Sequence, residues 1–139
     1  MSLTIISYGG GVQSTAMLVL ACQGRLGYDV DAAVFANVGP QSEHPATLSF
    51  IEEVARPYCA EHGLELVEVR RTMVRSGEVK DLYDDLMDPE LKAVKIPVRV
   101  GPGAPGNRIC TVDSKVKPIP RWLKPNGATQ TDPATLLLA

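Results

Sequence analysis

Aromatic residues are scarce in this sequence, at 5% of 139 positions, and Trp122 is its one tryptophan. A chain so poor in flat side chains offers no platform on which successive bases of a single strand would stack. Cysteine is scarcer still: Cys22, Cys59 and Cys110 are odd in number and far apart, which argues against a disulfide framework. No C-x-x-C pair is present to hold zinc or an iron–sulfur cluster. The two histidines, His44 and His62, lack partners at metal-ligand spacing and read as exposed residues at helix ends. No apolar run approaches the ~20 residues that cross a bilayer, and the first residues lack the basic segment, apolar stretch and cleavage site of a leader. A cytoplasmic protein with no membrane partner is expected.

What remains is the composition of an ordinary globular chain, 45% hydrophobic and 22% charged, at a length that suits one domain spanning 1–139. Residues 3–7, "LTIIS", are short, β-branched and apolar, as a fully buried parallel strand should be. Residues 14–23 follow as a helix that is apolar on most faces and stops near Gly24 and Gly27. A second buried strand is predicted over 31–37, a helix over 45–62 that Pro57 should kink, and an alternating third strand over 64–70. Strand and helix in alternation imply right-handed crossovers and a parallel sheet covered on both faces. The fold class expected is therefore α/β, a Rossmann-like three-layer sandwich with a mainly parallel sheet. Cys22 and Cys59 fall inside helical apolar patterns and read as core fillers.

Beyond residue 70 the pattern thins. It allows an acidic helix over 78–87, an extended segment over 92–100, a flexible Gly/Pro loop over 100–107 and a short helix over 119–124, anchored by Trp122 and Leu123. The apolar run Leu136, Leu137 and Leu138, within a 125–139 tail or truncated strand, should pair at a sheet edge, meet a partner chain or second copy, or continue into further chain. Net charge is only −2, but its distribution is uneven. Six acids and one base occupy 78–90, whereas eight bases and one acid, Asp113, occupy 92–124. Such a basic segment repels itself unless an anion or an acid from elsewhere neutralises it.

The most informative stretch is "SYGGGVQST", residues 7–15, at the end of the first strand and the mouth of the first helix. Glycines there let a ligand approach without a Cβ in the way, and free N–H groups at a helix start favour an anion. A tight turn explains one glycine well and three poorly. Neither G-x-x-x-x-G-K-[ST] nor a properly spaced G-x-G-x-x-G is present. Ser14 and Thr15 also suit helix capping, Asn37 and Gly39 also suit a turn, and Cys110 beside Arg108 also suits a structural bend.

The stretch resembles the pyrophosphate loop (PP-loop) of the adenine nucleotide alpha hydrolase superfamily, in its phosphoadenosine phosphosulfate (PAPS) reductase-like branch, where the pattern runs S-F-S-G-G-K-D-S-T. Gly10, Gly11, Ser14 and Thr15 match, while Gly9, Val12 and Gln13 stand where that pattern has serine, lysine and aspartate. Residues 35–54 resemble the family's F-x-D-T-G-x-E-x-P-x-T, with Asn37 for the aspartate, Gly39, Pro45 and Thr47 matching, and about two residues inserted. Residues 108–124 resemble C-T-x-x-x-K-x-x-P, with Cys110, Thr111, Lys115 and Pro118 on the pattern.

The resemblance implies an adenine-nucleotide site for ATP or a PAPS-like nucleotide. Ser7, Gly9, Gly10, Gly11, Gln13, Ser14 and Thr15 would cradle phosphate, and Asn37 and Gly39 would line the adenosine side. Arg108, Cys110, Thr111, Lys115 and Lys117 would hold a second anionic group. It admits magnesium, no iron–sulfur cluster, and transfer or reductive chemistry at phosphate or sulfate. It also implies a cysteine nucleophile in an E-C-G-L-H segment, which this sequence lacks. With the lysine and aspartate replaced, a catalytically inactive nucleotide-binding module, for instance in a nucleic-acid-modification system, is the alternative. A surface that meets RNA or DNA through the basic segment is a weaker third reading.

Overall fold

The computed structural model describes residues 2–92, 99–106 and 111–139. In chain order the elements are β1 (Thr4–Tyr8), α1 (Val12–Cys22), β2 (Ala32–Asn37), α2 (Pro45–Phe50), α3 (Arg56–Glu61), β3 (Glu65–Arg70) and α4 (Leu82–Met87). There follow β4 (Arg99–Val100), β5 (Ala104–Pro105), α5 (Pro118–Leu123) and β6 (Thr135–Leu137). Four of the strands make one all-parallel sheet in the order β3-β2-β1-β6, with Ile5 opposite both Ala32 and Leu136. This is an α/β fold, and its arrangement is compatible with a Rossmann-like one.

Neighbouring apolar residues on a strand point to opposite faces, so a run with no polar member demands cover on both sides. Ile6, Tyr8, Ala33 and Phe35 pack under α1, the segment Ile51–Ala55 and α3 through Leu18, Ile51, Ala55 and Cys59. Ile5, Ala32, Val34 and Ala36 face the other way, against Ile119, Trp122 and Leu123 of α5. Every residue of β2 is buried. Each fully buried Ile or Leu contributes roughly 1.5–3 kcal/mol of hydrophobic transfer. Trp122 anchors its helix and Cys22 and Cys59 fill the core, as their patterns predict.

The helix predicted over 45–62 is a continuous helical run from Pro45 to Glu61 with a wide π turn, Ile51–Ala55, in its middle. Pro57 has no N–H to give the carbonyl four residues back; the chain instead closes an i to i−5 bond from Arg56 N–H to the Ile51 carbonyl. The same device precedes Pro118. There Lys117 N–H donates to the Val112 carbonyl at 2.9 Å across the π turn Val112–Val116.

Two boundaries are corrected. The first helix begins at Val12, not at residue 14, because Gly11 (φ −82°, ψ 172°) is its N-cap. Ser14 therefore sits inside the first turn rather than capping it. The acidic helix begins at Leu82, not at residue 78, because Asp81 turns its carboxylate back onto the Tyr83 N–H at 2.9 Å. Val79, in the preceding residues, instead bridges to Thr72 as an antiparallel pair. Of the segment expected to be extended over 92–100, residues 93–98 lie outside the described residues. Residues 99–105 form a two-stranded antiparallel hairpin. The run of leucines pairs at the sheet edge: Thr135, Leu136 and Leu137 lie opposite Thr4, Ile5 and Ile6 of β1. Among the described residues no helix is long and apolar enough to cross a membrane.

Candidate functional site

From β1 the chain goes to β2 on one side, while β6 arrives on the other, with α5 on the opposite face from α1. That change of direction opens a crevice beyond the carboxyl ends of β1 and β6, where open α/β sheets take their ligands. A cavity of about 340 Å³ occupies this place. Its polar wall is Ser7, Gly9, Gly11, Gln13 and Ser14, and Lys115 reaches it from the π turn that leads into α5. Phe35, Ala36, Ile119 and Leu138 supply apolar walls.

The three glycines do three different things. Gly10 has φ +74°, and a Cβ there would stand 2.7 Å from the Thr47 methyl, so it is the packed hinge of the loop and does not line the cavity. Gly9 gives its N–H to Ser14 Oγ at 3.3 Å, and that hydroxyl donates in turn to the Gly11 carbonyl at 3.2 Å. The buried Ser14 thus fixes the loop from inside. Gly11 is exposed, with nothing within 4 Å of where a Cβ would lie. Among the described residues the N–H groups of Gly11, Val12 and Gln13 have no protein acceptor. The first turn of α1 carries no acid and no side-chain cap, so its positive end is left uncompensated. Thr15 turns away and meets the buried Tyr8 hydroxyl at 3.1 Å.

Lys115 Nζ is 3.9 Å from Glu43, with 48% of its side chain exposed. A second chamber, of about 420 Å³, shares Ser7, Lys115, Ile119 and Leu138 with the first. It runs between β6 and α5, is walled by Val116, Leu123 and Leu136, and includes Thr111.

The other predicted site residues are elsewhere. Asn37 is 6% exposed and engaged by the protein at both ends of its amide: its Oδ1 accepts from Gly39 N–H at 2.8 Å and its Nδ2 donates to Glu68 at 2.8 Å. Neither Asn37 nor Gly39 lines the cavity. Gly39 (φ +126°) lies so close to Asp81 that a Cβ would fall about 2.0 Å from its carboxyl carbon. Asp81 is the hub of this corner, taking bonds from Ser42 Oγ at 2.5 Å and Tyr83 N–H, with Arg70 at 3.9 Å. Burial pushes its carboxyl up, but the bonds from Ser42, Tyr83 and Gln41 and the Arg70 charge outweigh that and hold it below the usual range. Lys117 faces away from Lys115, into a separate cleft, and pairs with Asp113 at 2.6 Å. Arg108 and Cys110 lie outside the described residues.

Sequence reasoning missed Phe35, Ala36 and Leu138. The first two end a buried strand, and that position is the signal that points to a crevice. Among the described residues no group of three or more His, Cys, Asp or Glu that could hold a metal ion is present, and the residues described as lining the cavity include no acidic side chain. Comparison of the chain with protein-family models, with curated proteins and with solved structures yields no match.

Proposed function

We propose that this protein binds an adenine nucleotide, with phosphates against the start of α1 and the base in the apolar chamber beside β6, as a PAPS reductase-like PP-loop protein. One observation carries the reading. The start of α1, bare of acid and of side-chain cap, opens on a cavity to which the far end of the chain brings a lysine. Phosphate oxygens there would meet the N–H groups of Gly11, Val12 and Gln13 and the ammonium of Lys115, which offset charge without reorganising. The neighbouring chamber is apolar and wide enough for a purine.

Chemistry at phosphate or sulfate would rest on that fixed positive field, since the described cavity wall holds neither an acidic side chain nor a thiol. A module that binds without turnover is the second reading. Val12, 89% exposed, and Gln13 stand at the loop positions where the resemblance has lysine and aspartate. Calorimetric titration of the folded full chain with ATP, adenylylsulfate and PAPS should give saturable binding of at least one, weakened about tenfold by Lys115→Ala. Absence of heat with all three overturns the proposal. Pyrophosphate released from ATP with magnesium would exclude the purely binding role.

A further inference from the structure

We propose a second anion site, separate from the glycine loop, that takes the phosphate of a small phosphomonoester. It is a cleft of about 380 Å³ between the turn after β3 and the helical segment 113–121. Four cations line it: Arg71 and Arg75 from the turn, Lys117 and Arg121 from the helical side. Against them stand Asp113 in the wall and Asp85, which pairs with Arg71, so the cations exceed the acids by two. The two groups of cations are about 40 residues apart in sequence, so it is the fold that gathers them.

Three of the four are held in place by the protein. Arg71 pairs with the buried Asp85, and Arg121 Nη1 donates to the Thr72 carbonyl at 2.6 Å. Lys117 is held by Asp113 at 2.6 Å. Arg75 is exposed and, among the described residues, makes no ion pair or hydrogen bond. Each guanidinium has five N–H donors, so a single anchoring bond leaves others to give. Positive charges brought together in a molecule of net charge −2 repel one another, and a dianion relieves that repulsion. Orientation fixed beforehand lowers the entropy lost on binding.

The cleft also favours an ester with a carbon body over a polynucleotide. Met73 (39% exposed) and Val74 (82% exposed) add apolar surface beside the charges, and among the described residues no aromatic side chain lines the cleft for a base to stack on. The inference does not rest on the nucleotide reading of the glycine loop.

Backbone amide shifts in ¹⁵N-labelled full-length protein test it. Titrations with glycerol 3-phosphate and with inorganic phosphate, against sodium chloride of matched ionic strength, should produce saturable shifts at residues 72–76 and 117–121 with the phosphates alone. Tighter binding of glycerol 3-phosphate assigns the site to the ester, and equal binding assigns it to the free anion; either upholds a phosphate site. The Arg75→Ala, Lys117→Ala double variant, which changes exposed side chains, should weaken binding at least tenfold, and Lys115→Ala should leave it unchanged. Shifts that chloride reproduces, or no saturation at millimolar phosphate, overturn the proposal. So does an RNA decamer that binds these residues more tightly than glycerol 3-phosphate, with affinity that grows with its length.

Discussion

Gly11 has backbone angles that any residue adopts, lies in open space and occupies the N-cap of α1. Asp at an N-cap satisfies orphan N–H groups and stabilises a helix by about 0.5–1 kcal/mol, yet here it would place a negative charge where phosphate is proposed. Gly11→Asp should therefore raise the thermal midpoint while cutting nucleotide affinity tenfold or more; a change of both in the same direction would contradict the site. Asp81 gives a pH prediction. Its carboxyl is held below its unfolded value of about 3.9, so its contribution is complete above that pH and is lost as pH falls through the lower folded value. Asp81→Asn should cost about 1–3 kcal/mol in denaturant melts at pH 6, and the gap from the parent should close toward pH 3. Cys59 is fully buried, and burial, reinforced by neighbouring Cys22, pushes its thiol up to about 12. Iodoacetamide at pH 8 should leave Cys59 unmodified in the folded chain and label it in denaturant.

Among the elements, β1, α1, β2, the long second helix and β3 were legible because each carries an uninterrupted apolar period and ends on glycine or a polar turn. The short elements after residue 70 were not, since six residues hold too few periods to register and their limits come from tertiary bonds. Asp81, for example, ends the preceding segment only because Ser42, Gly39 and Gln41 come to meet it. The π turns were equally hidden. Pro57 announced a defect in the long second helix, but not that a wide turn just upstream would absorb it, and the turn before Pro118 was not announced at all. For the site, the glycine loop and Lys115 were readable as motifs, whereas the opposite facings of Lys115 and Lys117 were not. One residue, Val116, separates them, and the helical turn directs one into each cleft. Removal of residues 134–139 would strip β1 of one neighbour and the cavity of Leu138. The truncated chain should melt at lower temperature and lose nucleotide binding in the same calorimetric assay.

Across the whole molecule, the basic run that looked unopposed in sequence is partly answered by acids and carbonyls distant along the chain. Glu43 meets Lys115 and the Thr72 carbonyl meets Arg121. Folding thus turns one linear stretch of charge into two separated clefts, neither of them visible from composition. Because Lys115 is about half exposed, its attraction for phosphate is open to screening. Nucleotide affinity should fall as sodium chloride rises from 20 to 300 mM, on the order of several-fold, and Lys115→Ala should flatten that slope.

α5 also makes the chain its own reporter. Its one indole, Trp122, is half-buried against the sheet, on the same short helix whose Ile119 walls both proposed nucleotide chambers. Anything that enters and shifts that helix alters the polarity around the ring, so intrinsic emission offers a label-free gauge of occupancy against a background of a few tyrosines.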